Sequence, residues 1–137
     1  MIGILVVTHA ELGSALIETV KFILGDAPDN LSSVSINIQK DPDSLRKKIK
    51  KGISQVKTDQ GVIILTDMFG GTPSNLSYSF LEEGQVEVIS GVNLLILLKA
   101  VTARTKMDME TLTLSLVEHG KRSISLASGI LKGTKRA

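Results

Sequence analysis

Short apolar runs alternate with longer amphipathic stretches along the chain. Residues 2–7, Ile2-Gly3-Ile4-Leu5-Val6-Val7, carry no polar side chain and predict a strand buried on both faces. Residues 10–24 place Leu12, Ala15, Leu16, Val20, Ile23 and Leu24 at helical spacing, and Gly25 ends the pattern. In residues 33–38, Val34, Ile36 and Ile38 alternate with Ser35 and Asn37, as in a strand near a sheet edge. Asp41-Pro42 joins a helix N-cap to a proline at the first helical position. That helix runs to about Val56, with Leu45, Ile49, Ile53 and Val56 on one face. Residues 61–66 predict a third strand built on a continuous Val-Ile-Ile-Leu run.

A glycine-rich loop over residues 67–73 leads into a helix that starts at Pro73 or Ser74 and reaches about Glu83, where Gly84 stops it. Residues 86–90 predict a fourth strand, residues 93–102 a short helix, and residues 108–119 another helix with Leu112, Leu116 and Val117 apolar. In residues 122–128, Ile124 and Leu126 alternate with serines, which predicts a short edge strand; a helix continued through Ile130 is the competing reading. The expected architecture is α/β: a three-layer, doubly wound, mainly parallel sheet of order 2-1-3-4 with a short antiparallel fifth strand at its edge. No repeat, low-complexity tract or linker interrupts it, so residues 1–137 read as one domain.

Composition narrows the function. The chain is 42% hydrophobic but only 3% aromatic, so the core is aliphatic and a base-stacking platform for nucleic acid is excluded. Sixteen basic and fourteen acidic residues leave a net charge of +2, too balanced for a nucleic-acid or membrane-surface partner. The cluster Arg46, Lys47, Lys48, Lys50 and Lys51 reads as a solvated helix face. With no cysteine there is no disulfide, thiol catalysis or cysteine-type zinc site. The two histidines, His9 and His119, show no ligand spacing, so neither a metal nor a cofactor is expected. The longest apolar stretch, residues 92–103, is broken by Asn93, Lys99 and Thr102 and falls short of the ~20 residues of a membrane span. No basic segment or cleavage site precedes the first strand, and a cytoplasmic location without membrane insertion follows.

The chemistry converges on one sheet edge. In the order 2-1-3-4 the winding reverses between strands one and three, and ligands bind at such a switch point. Strand one delivers His9 there, and strand three delivers Asp67. A carboxylate that accepts one imidazole N–H fixes the tautomer and leaves the other nitrogen as a nucleophile. Gly70 and Gly71 let the backbone approach an anion closely, and Thr72 offers a hydroxyl and an N–H beside a helix start. Each piece has a plainer reading: a loop or capping histidine, a turn carboxylate, a Gly-Gly-Thr-Pro turn. Their meeting at a single switch point favours phosphoryl chemistry.

Gly3-Ile4-Leu5-Val6-Val7-Thr8-His9 together with Thr66-Asp67-Met68-Phe69-Gly70-Gly71-Thr72-Pro73-Ser74-Asn75 resembles the IIA component of the mannose-type sugar phosphotransferase system. The resemblance extends over nearly the whole chain. It implies a cytoplasmic phosphotransferase in which His9 accepts phosphate from the histidine-containing phosphocarrier protein and passes it to a IIB component. It further implies that Asp67 orients the histidine, that Thr72 lies by the phosphate, and that two chains form a homodimer by exchanging residues 122–128. Family members that continue into a IIB domain do so through an Ala/Pro-rich linker, which is absent before Ala137, so IIB is expected as a separate polypeptide or the chain serves a regulatory phosphorelay.

Three rivals remain. A response-regulator receiver would use Asp67 as phosphoacceptor, but it wants an acidic pair after strand one, where this chain has Thr8-His9. The phosphotransferase subunit of a dihydroxyacetone kinase has a similar histidine, and the Gly-Gly-Thr-Pro-x-Asn loop favours the mannose type. A regulatory or non-catalytic binding module would keep the fold without the transfer.

Overall fold

The computed structural model describes residues 1–133, so the last four residues of the expected 1–137 domain lie outside the described residues. Four parallel strands, β1 (Gly3–His9), β2 (Leu31–Ile36), β3 (Val62–Thr66) and β4 (Val86–Ser90), form a sheet of order β2-β1-β3-β4. The helices are α1 (Leu12–Leu24), α2 (Pro42–Val56), α3 (Thr72–Tyr78), α4 (Leu94–Ala103), α5 (Met109–Lys121) and α6 (Ala127–Leu131).

Side-chain alternation along the central strands divides the core. Ile4 and Val6 of β1, with Ile63 and Leu65 of β3, pack against α1, α4 and α5 through Ile17, Val20, Leu97, Leu112 and Leu116. Leu5, Val7, Val62 and Ile64 point to the other face, against Leu45, Ile49 and Val56 of α2 and Leu76 of α3. This gives the expected three layers. Close packing requires Gly52: an added Cβ would lie 2.8 Å from Val34 Cγ2 and 2.9 Å from Leu5 Cδ1, inside contact distance.

Beyond shifts of one or two residues, such as β1 continuing through Thr8 to His9, three differences from the sequence pattern matter. β2 runs two residues earlier than expected. Asn30, at φ 51°, launches it, and at its other end the Asn37 side chain accepts from the Gln39 amide and turns the chain away. Ile38 therefore falls in a loop and is exposed. α3 stops at Tyr78 rather than near Glu83. Ser77 and Ser79 bond back to the carbonyls of Pro73 and Leu76, a habit that weakens helix continuation.

The third difference is the expected fifth strand over residues 122–128, which is not formed among the described residues. α5 ends at Lys121, a non-helical stretch follows, and α6 begins at Ala127. The competing helix through Ile130 is not continuous either. Alternating residues cannot make a strand without a partner ladder, and within one chain this segment reaches none. Ile124 and Leu126 are left 75% exposed.

At the opposite edge of the sheet from His9, Arg104 is buried just beyond α4. Its guanidinium donates to the carbonyls of Ile2, Asp29 and Asn30, where β1 and β2 begin. Burial pushes its pKa down while Asp29 pulls it back up. Arg104→Ala should cost about 3 kcal/mol in denaturant unfolding, because it removes three charge-assisted hydrogen bonds that tie the starts of β1 and β2 together. Arg104→Lys should recover only part of that, since an ammonium lacks the planar fork.

Candidate functional site

β1 and β3 are adjacent, with Val7 opposite Thr66, so the residues that follow each pair meet at the carboxyl edge. His9 is the last residue of β1, and Asp67 directly follows β3. Asp67 Oδ2 accepts from the His9 backbone amide at 2.8 Å and lies 2.7 Å from His9 Nδ1. Asp67 Oδ1 accepts from the Met68 amide at 2.8 Å. One carboxylate thus fixes both the backbone and the ring of His9. Burial alone would raise the Asp67 pKa, but the His9 amide, the His9 ring and the Met68 amide outweigh it and hold the carboxyl below 3.8. An ionised Asp67 accepts at Nδ1, which makes Nδ1 the protonated nitrogen and leaves Nε2 with its lone pair.

The free side of the imidazole faces the glycine loop. A Cβ on Gly71 would lie 3.0 Å from His9 Cε1 and 3.7 Å from Nε2, so any other residue would crowd the nucleophilic edge. Gly70 takes φ 85°, a conformation that suits glycine. The His9 side chain is 39% exposed against 12% for Asp67, so the ring is open to a partner while its anchor is covered.

The chain turns sharply after His9. Ala10 sits at φ 47°, a left-handed conformation that costs a non-glycine residue about 1–2 kcal/mol. Ser35 Oγ donates to the Ala10 carbonyl and holds the turn. Thr8, fully buried, accepts from the Gly13 amide at 2.8 Å and so secures the start of α1.

Of the residues expected from sequence, His9, Asp67 and Gly71 come together. Gly70 and Thr72 flank Gly71 in the chain, but the Gly70 amide donates to Ser74 Oγ at 3.1 Å and is directed into the loop. Ser74 is a residue the sequence reading left without a role. It is fully buried, and it also donates to the Gly71 carbonyl at 3.1 Å, stapling the loop to the first turn of α3. Its position two residues beyond Thr72 in a helix start was the available signal.

The family model for the fructose IIA component of the phosphotransferase system (PTS) matches residues 3–117. The fructose-specific EIIA component of Bacillus subtilis (strain 168) is 30% identical over 138 residues, covering 100% of this chain and 94% of that protein. The sorbose-specific EIIA component of Lacticaseibacillus casei is 31% identical over 116 residues, covering 84% of this chain and 83% of that one. A crystal structure of a phosphotransferase system EIIA component from Streptococcus agalactiae superposes with a TM-score of 0.82 at 23% identity over 93% of this chain and 98% of that one, a likeness of fold. The family match over residues 3–117 and the 30% identity along the full chain place it in the EIIA family of mannose/fructose/sorbose phosphotransferase systems.

Proposed function

We propose that residues 1–137 act as one cytoplasmic phosphotransfer domain in which His9 Nε2 is the phosphoryl acceptor. The observation that carries this is the 2.7 Å contact of Asp67 with Nδ1, which leaves Nε2 as the open nitrogen above Gly71. In the forward step the Nε2 lone pair attacks the phosphorus of the phosphocarrier's phosphohistidine. The new N–P bond forms as the carrier's N–P bond breaks, and the carrier imidazole regains the electron pair. The Nδ1 proton stays with His9, directed at Asp67, which offsets the positive charge on the phosphorylated ring. The second step repeats the exchange toward a IIB component. Both steps trade a high-energy linkage for a similar one, so positioning dominates. No metal or other cofactor is required in this scheme. Gly71, which lies against the open ring edge, is assigned to the phosphate together with its chain neighbours Gly70 and Thr72.

The surroundings of His9 suit protein partners. Ile38, Met68 and Phe69, exposed by 65%, 57% and 78%, lie in the two loops that border the imidazole. Such a collar fits another protein's apolar surface more readily than a small molecule.

Incubation with phosphoenolpyruvate, the general phosphotransferase enzyme and the phosphocarrier protein tests the assignment. Acid-labile phosphate on His9 is expected. Acyl phosphate on Asp67 would favour a receiver, and absence of label a binding module.

The exposed apolar residues Ile124, Leu126, Ile130 and Leu131 support a homodimer in which residues 122–128 leave their own chain and pair with the open edge of β4 in the partner. The expected result is a dimer at micromolar concentration by sedimentation. Truncation after His119 should give a monomer or an aggregating, less stable protein. A full-length monomer throughout that range would sink this part alone.

A further inference from the structure

Beneath Asp67 lies a row of hydroxyls that the His–Asp pair does not itself explain. Thr66, the last residue of β3, is fully buried, and its Oγ1 donates to Ser90 Oγ at 2.9 Å. Ser90 ends β4 opposite Thr66, and its Oγ lies 2.8 Å from the Tyr78 hydroxyl at the end of α3. The Thr66 carbonyl is held as well, by the amides of Gly91 and Val92 at 3.0 and 2.9 Å. The Tyr78 ring also packs against Phe69, centroids 6.2 Å apart, so this side chain touches the loop between Asp67 and Gly71 as well as the strand ends.

We propose that Tyr78 is a positioning residue for phosphoryl transfer: through Ser90 and Thr66 it fixes the end of β3, and with it Asp67, relative to the loop and helix that carry Gly71. The proposal rests on the phosphotransfer reading above. Two parts of the site must keep register. One is Asp67, which sets the imidazole. The other is the Gly71 loop, over which the imidazole edge lies. β3 carries the first and α3 closes the second, and the hydroxyl row joins the two elements by side chains. A row of three hydroxyls also specifies one geometry, whereas an apolar contact of the same size tolerates sliding.

Tyr78→Phe keeps the ring against Phe69 and removes only the hydroxyl. The readouts are the rate of His9 phosphorylation by phosphoramidate, a donor that needs no docking surface, and the downfield proton signal of His9 Nδ1–H in the unphosphorylated full chain. The expected result is a maximal rate lower by on the order of 10-fold with the half-saturating phosphoramidate concentration unchanged, as for a small displacement of a reacting group. The Nδ1–H signal should shift or broaden, because the bond to Asp67 is less well held. Ser90→Ala should do the same, and the double variant should lose no more than either single one, since both break one row. Unchanged rate and unchanged Nδ1–H signal in both variants, even with a lowered melting temperature, would overturn the proposal and leave Tyr78 a packing residue. If the wild-type chain takes no phosphate on His9, the functional reading fails, while the Nδ1–H signal still decides for or against the row.

Discussion

His9→Ala will take up no phosphate from the phosphocarrier protein, and its fold will survive. The first half follows from the site: among the groups gathered at this sheet edge, only the imidazole offers a neutral nitrogen lone pair open to solvent. The second half follows from how Asp67 is held. Its carboxylate loses the ring partner but keeps the backbone amides of residues 9 and 68, so no buried charge is orphaned. The His9 ring is itself partly exposed, and its removal opens no core cavity. Circular dichroism should superpose on that of the wild type, with a melting temperature within a few degrees. His119→Ala is the control: this residue lies in the last turn of α5, where a histidine suits the helix end, and phosphate uptake should be unaffected. Stoichiometric phosphate on the His9→Ala protein would refute the assignment.

Much of this site was readable from pattern because its residues are tied to the strongest signals in the chain. His9 and Asp67 each follow an apolar run by a single buried threonine, Thr8 or Thr66, and parallel strands adjacent in a 2-1-3-4 sheet bring their carboxyl ends together. The weaker signals left more open. The serine alternation in residues 122–128 has the period of a strand, but a strand exists only where another ladder accepts it, and period carries no information about that. Leu31 and Ser32 fell outside the expected strand, yet they pair with Ile4 and Leu5, because β2 is an edge strand whose outer side tolerates small polar groups.

The hydroxyl row lay beyond local pattern altogether. Thr66 and Ser90 are 24 residues apart and Ser90 and Tyr78 are 12 apart, and only the β3–β4 register brings them into reach. Arg104 is similar. Arginine is seldom buried, and nothing around it in sequence announces that its guanidinium reaches the carbonyls of Ile2 and Asn30.

Asp67→Ala should slow phosphoryl acceptance by roughly 10²–10⁴-fold without abolishing it, the range typical of a positioned proton-handling group. The nucleophile survives in this variant, but both the tautomer and the ring orientation are released. Nδ1 and Nε2 then compete for the proton, and an Nε2–H tautomer cannot attack. The loss should appear in the maximal rate rather than in the half-saturating concentration of phosphocarrier, since Asp67 is largely covered and offers little surface to a partner. The same substitution has a signature in stability. The folded-state pKa of Asp67 is depressed below 3.8, so the ionised carboxylate stabilises the fold fully above that value. That contribution is lost as pH falls through the lowered folded-state pKa. Urea unfolding of wild type and variant should therefore differ at neutral pH, and the gap should close in acid below 3.8. A gap that stays constant across this range would mean the side chain acts by packing alone. A transfer rate equal to wild type would reduce Asp67 to a turn residue and remove the orienting role on which the assignment of Nε2 depends.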